Sequence, residues 1–303
     1  MRSAFIKALI EAARVNPHVY LVVGDLGYSV VESFAQEFPD RFINAGVAEQ
    51  NMTGMAAGLA LTGKKVFTYS IGNFSTLRCL EQIRNDVCYH NANVKIVIVG
   101  GGVSYGAQGM THHATEDIAI MRTLPNMTVV VPGDPVEARL ATHAIASSFG
   151  PCYLRLGKNG ESIIHDAEPT FELGKAIELT VGNDVTFIAC GSILYNAVEA
   201  AKRLREHGIY AGVLSMPTVK PLDERAIRRL NSKVIATVEE HSVIGGLGSA
   251  VAEMGLRVPL LRLGLPDAFI TDLGSQTYIR DKNGLSVGGI CESVRSLLCL
   301  NGF

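Results

Sequence analysis

One glutamate is the only charged residue of the apolar segment AGVAEQNMTGMAAGLAL, which covers residues 45–61. Glu49 in this segment has two interpretations. As an exposed residue in the first turn of a helix, it would be favoured by the helix dipole. As a carboxyl group buried among apolar neighbours, it would have a raised pKa, retain a proton near neutral pH and donate a hydrogen bond. The spacing favours the buried carboxyl without excluding the exposed one.

A glycine-rich segment, GGGVSYGAQGMTHHATED at residues 100–117, follows a predicted strand and contains two adjacent histidines. Glycines let a backbone pass close to a ligand, and open α/β sheets bind ligands at the carboxyl ends of their strands. The segment matches neither GxGxxG nor a Walker motif, which argues against a nucleotide loop. We interpret the pair His112 and His113 as supplying a catalytic or substrate-binding histidine, while a structural loop and a metal site stay open. A helix is predicted to open at Thr115, with Glu116 and Asp117 in its first turn.

A third segment, TVEEHSVIGGLGSAVA at residues 237–252, combines two glutamates, one histidine and three glycines at the end of a predicted strand. The carboxylates and His241 could form an acid–base pair, and the glycines leading into a helix could bind an anion. A tight strand–helix connection at a subunit contact explains the same residues, and we favour this structural interpretation.

An alternation of strands and helices along the whole chain must position these segments. The predicted strands are 19–23, 65–69, 94–99, 128–131, 152–156, 185–189, 211–216, 234–239 and 259–263. The predicted helices are 3–15, 48–61, 77–90, 135–148, 195–207, 224–230, 248–254 and 288–300. This order is typical of βαβ units with parallel sheets. It predicts an α/β fold with two domains, residues 1–165 and 170–303, around a polar linker at 157–169.

Composition excludes several classes of protein. Only 18% of the 303 residues are charged, against about 25% in average soluble domains, which predicts that another chain covers part of the surface. The net charge of −2 lacks the basic footprint of a nucleic-acid-binding protein. No apolar run has the length of a membrane span, and charges in the N-terminal helix interrupt any signal-peptide core. The six cysteines have no metal-ligand spacing and predict free thiols in a reducing cytoplasm.

Taken together, several long segments resemble the C-terminal half of the transketolase family. They are RFINAGVAEQNM, LEQIRNDVCYHNANVKIV, GMTHHATEDIAIMRTLPNMTVVVPGDPVEA, GVLSMPTVKPLDE and VEEHSVIGGLGSAVAE. The resemblance covers essentially the whole chain. It implies a pyrimidine-binding domain with a parallel sheet, followed by a smaller α/β transketolase C-terminal domain.

The resemblance implies thiamine diphosphate chemistry. In the family, the glutamate of the A-E-Q motif, here Glu49, hydrogen-bonds a ring nitrogen of the aminopyrimidine and so promotes removal of the thiazolium proton. The activated cofactor then moves a two-carbon ketol unit from a ketose to an aldose, while the protein supplies geometry and proton control. A buried, protonatable Glu49 is what this step requires, so both lines of reasoning meet at this residue.

The resemblance also implies residues that bind the substrate. His112 matches the histidine of the G-x-T-H motif, which contacts the reacting part of the sugar. Arg2 and Ser29 match members of the group that binds the substrate phosphate, and the spacing around the cofactor-site candidate Asp25 is preserved.

Aromatic residues of the family stack on the pyrimidine ring, and here the match is imperfect. Gly72 falls at one expected position, and either Phe74 or Tyr69 is predicted to substitute.

Three positions depart from the family pattern on the substrate side. Gln108 replaces an aspartate that accepts a hydrogen bond from the acceptor sugar, Gly100 replaces a histidine, and Lys158 replaces an arginine. An amide holds a hydroxyl less strongly than a carboxylate does, and lysine offers a point charge where arginine offers a fork. We therefore expect an acceptor that is modified or carries its negative charge differently.

One family element is missing. The motif G-D-G and its downstream asparagines, which hold a divalent metal and the diphosphate, do not occur in the sequence. The chain therefore resembles one subunit of a split transketolase, with no metal ligands of its own. A partner subunit is predicted to hold Mg²⁺ and most of the thiamine diphosphate in an α₂β₂ assembly, and this chain would be inactive without it.

Three interpretations remain open: a split-transketolase subunit, the matching part of a deoxyxylulose-phosphate synthase or 2-oxo-acid dehydrogenase beta subunit, and a cofactor-free regulatory subunit. The motifs R-x-x-N-x-G-V-A-E-Q-N-M and T-H-H-A-T-E-D favour the first. Intact Glu49 and His112 argue against the third, although a fold never guarantees activity.

Overall fold

The N-terminal half alternates strands and helices in the computed structural model, which describes residues 1–300. Its strands are β1 Val19–Val23, β2 Phe42–Asn44, β3 Lys65–Ile71, β4 Val94–Val99, β5 Thr128–Val130 and β6 Cys152–Leu156. Its helices are α1 Arg2–Val15, α2 Glu32–Glu37, α3 Glu49–Leu61, α4 Gly72–Thr76, α5 Leu80–Gln82, α6 Asp117–Thr123 and α7 Pro135–Ser147. Short 3₁₀ turns cover Pro39–Arg41, Gly106–Gln108 and Met110–His112, and a π-helical turn covers Ile83–Cys88.

The C-terminal half repeats the alternation. Its strands are β7 Ile177–Thr180, β8 Val185–Ala189, β9 Ala211–Ser215, β10 Thr218–Lys220, β11 Val234–Ser242 and β12 Leu260–Leu265. Its helices are α8 Leu194–Arg205, α9 Glu224–Arg228, α10 Leu247–Ala252, α11 Gln276–Lys282 and α12 Val287–Leu300.

The predicted α/β fold with largely parallel sheets is confirmed. One sheet has seven strands in the order β10-β5-β6-β4-β3-β1-β2, and the other has five in the order β12-β11-β8-β9-β7. Two edge strands run antiparallel to their neighbours, β10 against β5 and β7 against β9. Both are short, and the alternation in the sequence does not indicate them.

The helix predicted at residues 77–90 is wrong as a single element. Helix α4 already begins at Gly72, directly after β3, and the segment then passes through α5 into the π-helical turn. A side chain at position 72 would not fit, because a β-carbon there would lie 2.8 Å from Ala114 Cβ. Gly72 therefore allows α4 to pack closely against the glycine-rich segment.

The seven-stranded sheet is covered on both faces. Along β1, Leu21 and Val23 face the apolar layer formed with α1 and α7, whereas Val22 faces the layer formed with α3 and α6. Burial on both faces explains why the sequences of the parallel strands consist mostly of apolar residues. Within residues 1–300, no helix is both long and apolar enough to cross a bilayer.

Strand β10 connects the two halves. Although it follows the predicted linker in the sequence, Thr218 pairs with Val130 of the first sheet and Lys220 pairs with Val129. The ammonium group of Lys220 also donates to the carbonyl oxygens of Arg122 and Leu124, at 2.9 and 2.6 Å. The first sheet is therefore completed by a strand from the C-terminal half.

The linker is fixed by two acidic side chains near the start of α7. Asp134 Oδ2 accepts the backbone N–H groups of Ile164 and His165, at 2.9 and 3.2 Å. Glu137 Oε1 lies 2.9 Å from His165 Nε2 and accepts the Ser215 hydroxyl of β9 at 2.7 Å. The hydrogen bond to Glu137 raises the pKa of the buried His165, against the opposing effect of its burial. One cluster thus joins linker, first domain and second domain.

This cluster predicts a pH-dependent stability. Because the folded-state pKa of His165 is raised, its protonated form adds stability below the unfolded pKa of about 6.5. That stability is lost as pH rises through the folded-state pKa. We expect His165→Gln to lower the free energy of unfolding by about 1–3 kcal/mol near pH 6, and by less than half as much near pH 9. Urea unfolding at the two pH values measures this.

The exposed His18, whose ring makes no hydrogen bond in the described chain, supplies the control variant His18→Gln. It should show a pH-independent effect within about 0.5 kcal/mol. An equal penalty for His165→Gln at both pH values would contradict the role of the protonated imidazole.

Candidate functional site

The candidate site lies at one edge of the seven-stranded sheet. Strands β1, β3, β4 and β6 are parallel neighbours, so their carboxyl ends meet at the same edge. The segments that leave this edge are 24–31, 72–79, 100–116 and 157–162. All the candidate residues except Glu49, Tyr69 and Arg2 lie on them, at the position where open α/β sheets bind ligands.

Glu49 is the first residue of α3 and is only 2% exposed. The exposed interpretation of this residue is therefore wrong, although its place in the first turn is as expected. Its surroundings are less apolar than predicted, because Oε2 accepts a 2.6 Å hydrogen bond from Arg78 Nη1. Gly24 makes room for the carboxyl group, since a β-carbon there would lie 3.3 Å from Glu49 Cγ. No hydrogen bond in the described chain reaches Oε1.

Arg78 links Glu49 to an aromatic ring and a histidine. Its guanidinium carbon lies 4.7 Å from the ring centroid of Phe74, a cation–π distance. The Phe74 ring in turn lies 5.1 Å from the His112 ring, edge to face. The structure therefore brings together the predicted residues Glu49, Phe74 and His112. The sequence reasoning missed Arg78, which lies in the turn between α4 and α5, four residues after Phe74.

An open cavity of about 360 Å³ lies beside this row of side chains. Phe74, Arg78, Thr111 and His113 of the N-terminal half line it, and Phe269 of the C-terminal half closes one side. Burial lowers the pKa of His113, so this histidine lines the cavity as a neutral side chain. His112 differs, because its Nδ1 lies 3.0 Å from Thr111 Oγ1 and its side chain is half-buried.

Tyr69 does not stand at the cavity, which corrects its prediction as a stacking residue. Its side chain is 0% exposed, and its ring stacks on Phe5 of α1 at 5.8 Å between centroids. Position in β3 decides this, because alternate strand residues point to opposite faces. Tyr69 therefore belongs to the core, and Phe74 is the aromatic residue that faces the site.

A second group of side chains lies on the other side of His112. The ring of Tyr105 is 6.1 Å from the His112 ring, and Lys158 Nζ lies 4.7 Å above the centroid of Tyr105. Burial raises the pKa of the Tyr105 phenol, and the nearby positive charge of Arg2 partly opposes this. The structure thus places the predicted residue Lys158 against the ring of Tyr105, a residue that the sequence reasoning did not single out, and the charge of Arg2 acts on the same phenol.

Three predicted residues remain apart from these groups. Asp25 accepts a 2.9 Å hydrogen bond from Asn44 Nδ2, and Ser29 donates its backbone N–H to Glu32 at 2.7 Å. Gln108 is exposed at the end of a 3₁₀ turn. Within residues 1–300, no hydrogen bond joins these three residues to Glu49 or His112. Their roles stay predictions.

The glycine-rich segment is held at both ends by buried charges. Glu240 of β11 accepts the backbone N–H of Val103 at 2.7 Å and also binds Arg280. Arg155 of β6 donates to the carbonyl oxygens of Ala114 and Glu240, at 2.7 and 3.0 Å. The segment that carries His112 is therefore fixed by both domains.

A buried ion pair also explains where α6 begins. Arg155 Nε donates to Asp117 Oδ2 at 2.7 Å, and the Tyr153 hydroxyl donates to the same oxygen at 2.6 Å. The helix begins at Asp117 rather than at Thr115 as predicted. The Arg155–Asp117 pair fixes the first residue of α6, and Thr115 belongs to the loop that precedes the helix.

Residues 237–252 form the tight strand–helix connection that we favoured, and a subunit contact at this connection stays a prediction. Glu239 accepts the backbone N–H groups of Leu247 and Gly248, each at 2.7 Å, and so caps α10. His241 Nε2 accepts the N–H of Ala119 at 3.2 Å, which ties β11 to α6. Within residues 1–300, no group of three or more His, Cys, Asp and Glu side chains could hold a metal ion.

Two family models match the chain. The transketolase pyrimidine-binding domain matches residues 1–160, and the transketolase C-terminal domain matches residues 174–289. A solved structure of a split-gene transketolase, an inactive β4 tetramer, has a TM-score of 0.89 at 39% identity. The match covers 99% of this chain and 98% of that one.

Curated relatives match over nearly their full length. A putative transketolase C-terminal section of Methanocaldococcus jannaschii is 45% identical over 89% of this chain and 87% of its own. One of the subunits of the apulose-4-phosphate transketolase of Phocaeicola vulgatus is 41% identical over 96% and 95%. A 6-deoxy-6-sulfo-D-fructose transketolase subunit of a Clostridium species is 39% identical over 98% and 94%.

The contacts of Glu240 predict that the glycine-rich segment loosens when this charge is removed. Glu240→Gln leaves the nearly buried Arg280 without its carboxylate, which should lower the free energy of unfolding by about 3–5 kcal/mol. Amide exchange at residues 101–115 should also become faster. Urea unfolding and hydrogen–deuterium exchange measure the two effects.

Glu253→Gln is the matched control, because this glutamate is 64% exposed in its pair with Arg122. Its effect should stay below about 1 kcal/mol. Similar stability losses for both variants, or unchanged amide exchange at 101–115 in Glu240→Gln, would contradict the conclusion that Glu240 fixes the glycine-rich segment.

Proposed function

The chain belongs to the transketolase family, and we propose that Glu49, Phe74 and His112 form its half of a thiamine diphosphate-dependent active site. As in the split transketolases it matches, this half works with a partner subunit and transfers a two-carbon ketol unit from a ketose to an aldose. The observation that supports this most strongly is the row of contacts from the buried Glu49 through Arg78 and Phe74 to His112.

The pyrimidine end of the cofactor fits the residues present. A buried carboxylate with one oxygen free of hydrogen bonds can bind a ring nitrogen, and the half-buried Phe74 offers a ring face for stacking. Gly24, which has no side chain, leaves space beside the Glu49 carboxyl group. Glu49 and Phe74 would hold the ring, and Arg78 would keep the Glu49 carboxylate in position.

The diphosphate end does not fit this chain. Mg²⁺ is bound by oxygen ligands together with substrate phosphates, and the described residues contain no acidic cluster for such a site. We propose that the partner subunit carries the G-D-G motif, Mg²⁺ and the diphosphate, in an α₂β₂ assembly in the cytoplasm. The relative that crystallised as an inactive β4 tetramer supports a requirement for a second kind of subunit.

Each residue of this chain has a distinct task. When bound, thiamine diphosphate supplies the nucleophilic carbon and the electron sink for breaking a C–C bond. Glu49 holds a proton at the pyrimidine nitrogen, and burial keeps water away from that hydrogen bond. His112, whose Nδ1 contacts the Thr111 hydroxyl, presents Nε2 to a hydroxyl or carbonyl oxygen of the sugar. The Phe74 ring separates Glu49 from His112 and excludes water from the space between them.

The substrate is proposed to be a sugar with an anionic end. Arg2 and Lys158 supply positive charge beyond His112, and Ser29 and Gln108 lie on neighbouring loops of the same edge. Two relatives are named for a phosphorylated and for a sulfonated sugar. The neutral Gln108 would relax the stereochemical preference that a carboxylate enforces.

One prediction concerns the partner subunit. The isolated chain should show no ketol transfer, and calorimetry should detect no tight binding of thiamine diphosphate with Mg²⁺, because residues 1–300 contain no metal site. Mixing with a diphosphate-domain subunit should restore both binding and turnover. Tight binding and turnover by the isolated chain would contradict the proposal.

A separate prediction concerns the carboxyl group of Glu49. Glu49→Gln keeps the shape and the acceptor for Arg78 but removes the titratable proton, so kcat of the reconstituted enzyme should fall by about 10²–10⁴. The free energy of unfolding should change little, because Arg78 is 45% exposed and keeps its hydration. Steady-state kinetics and urea unfolding measure the two effects.

Glu206→Gln, at an exposed glutamate far along the chain, is the control and should keep wild-type kinetics. Near-normal activity of Glu49→Gln would show that the assignment of this carboxyl group is wrong.

A further inference from the structure

The ring of Tyr105 fills the space that a side chain at position 100 would need. Gly100 follows the last residue of β4 with φ of +85°. A β-carbon there would lie 2.1 Å from Cε2 and 2.3 Å from Cδ2 of Tyr105. Non-bonded carbons stay about 3.5–4.0 Å apart. Position 100 must therefore lack a side chain for Tyr105 to stand where it does.

From this place the ring lies next to both His112 and the cation Lys158. The centroid of Tyr105 is 6.1 Å from that of His112, and the Lys158 ammonium is held 4.7 Å above the ring. Arg2 acts on the phenol of the same residue. The ring is half-buried, so part of it is accessible to solvent and to a ligand.

The two cations lack an acidic partner. Among the ion pairs of residues 1–300, none includes Arg2 or Lys158, whereas the nearly buried Arg155 and Arg280 each have a carboxylate beside them. Two cations without a carboxylate, one of them against an aromatic ring, favour a ligand with an oxyanion at that end. A phosphate and a sulfonate share this chemistry.

We propose that Tyr105 determines substrate specificity by acting as a spacer between His112 and the oxyanion-binding pair Arg2 and Lys158. The ring sets the distance between the reacting carbon, near His112, and a terminal oxyanion, and it holds Lys158 in place through its π face. This inference rests on the proposed function. It assigns the specificity to a residue that contributes neither charge nor a proton to the reaction.

The position of the ring is tested without any activity measurement. In the full chain, Gly100→Ala should lower Tm by about 3–8 °C more than Gly208→Ala, which has the same left-handed φ but no atom within 4 Å. In the Tyr105→Ala background, that additional loss should disappear, because the two changes relieve the same contact. An equal loss in both backgrounds would overturn the proposal.

The specificity is tested with the chain reconstituted with its partner subunit. Donor ketoses are D-fructose, fructose 6-phosphate and 6-deoxy-6-sulfo-D-fructose, with one fixed aldose acceptor. Tyr105→Ala should reduce kcat/KM for the preferred charged ketose at least about tenfold more than for D-fructose. Tyr105→Phe, which keeps the ring, should retain the wild-type ratio within about threefold.

The charged ketose that suffers the loss identifies the oxyanion as phosphate or sulfonate. Unchanged ratios in Tyr105→Ala, or an equal loss in Tyr105→Phe, would overturn the role of the ring as a spacer. If the wild-type complex transfers from none of the three ketoses, the proposed function fails, while the Tm series still reports on the position of Tyr105.

Discussion

The buried ion pair between Arg155 and Asp117 is the constraint on which the site depends. The guanidinium group donates to Asp117 and to the carbonyl oxygens of Ala114 and Glu240. A charge buried without such partners costs several kcal/mol, so none of these groups can move away independently. Val103 is fixed by Glu240 in the same network. His112 lies between these anchors, and its position is therefore set by two domains.

The groups in the chain fit the proposed half of an active site. The described residues provide a buried carboxylate, an aromatic face, a histidine and two cations, but no cluster that could bind a metal. In the proposed function, proton control and substrate recognition would lie on this polypeptide, and the partner subunit would bind the most highly charged part of the cofactor. The low content of charged residues agrees with a surface that is covered in an assembly.

The sequence predicts the parts of this structure that local patterns encode. Buried parallel strands such as β1 are recognisable because they are continuous apolar runs, and Glu49 is conspicuous as the single charge of its segment. Arg78 and Tyr105 were missed because their significance arises from contacts with distant residues. Tyr69 was misplaced because residue type does not reveal which face of a strand a side chain occupies. Strand β10 was missed because three residues carry too little periodicity, and its partner lies in the other half.

The crossing of β10 into the first sheet has a consequence for synthesis on the ribosome. When the N-terminal half has emerged, the edge of β5 still presents unpaired backbone groups, and the strand that covers it has not been made. Open edges of this kind promote pairing with other chains. Gene fission within residues 157–169 would make the covering of that edge depend on the association of two separate chains. Keeping both domains on one polypeptide therefore limits the time during which the edge of β5 is open.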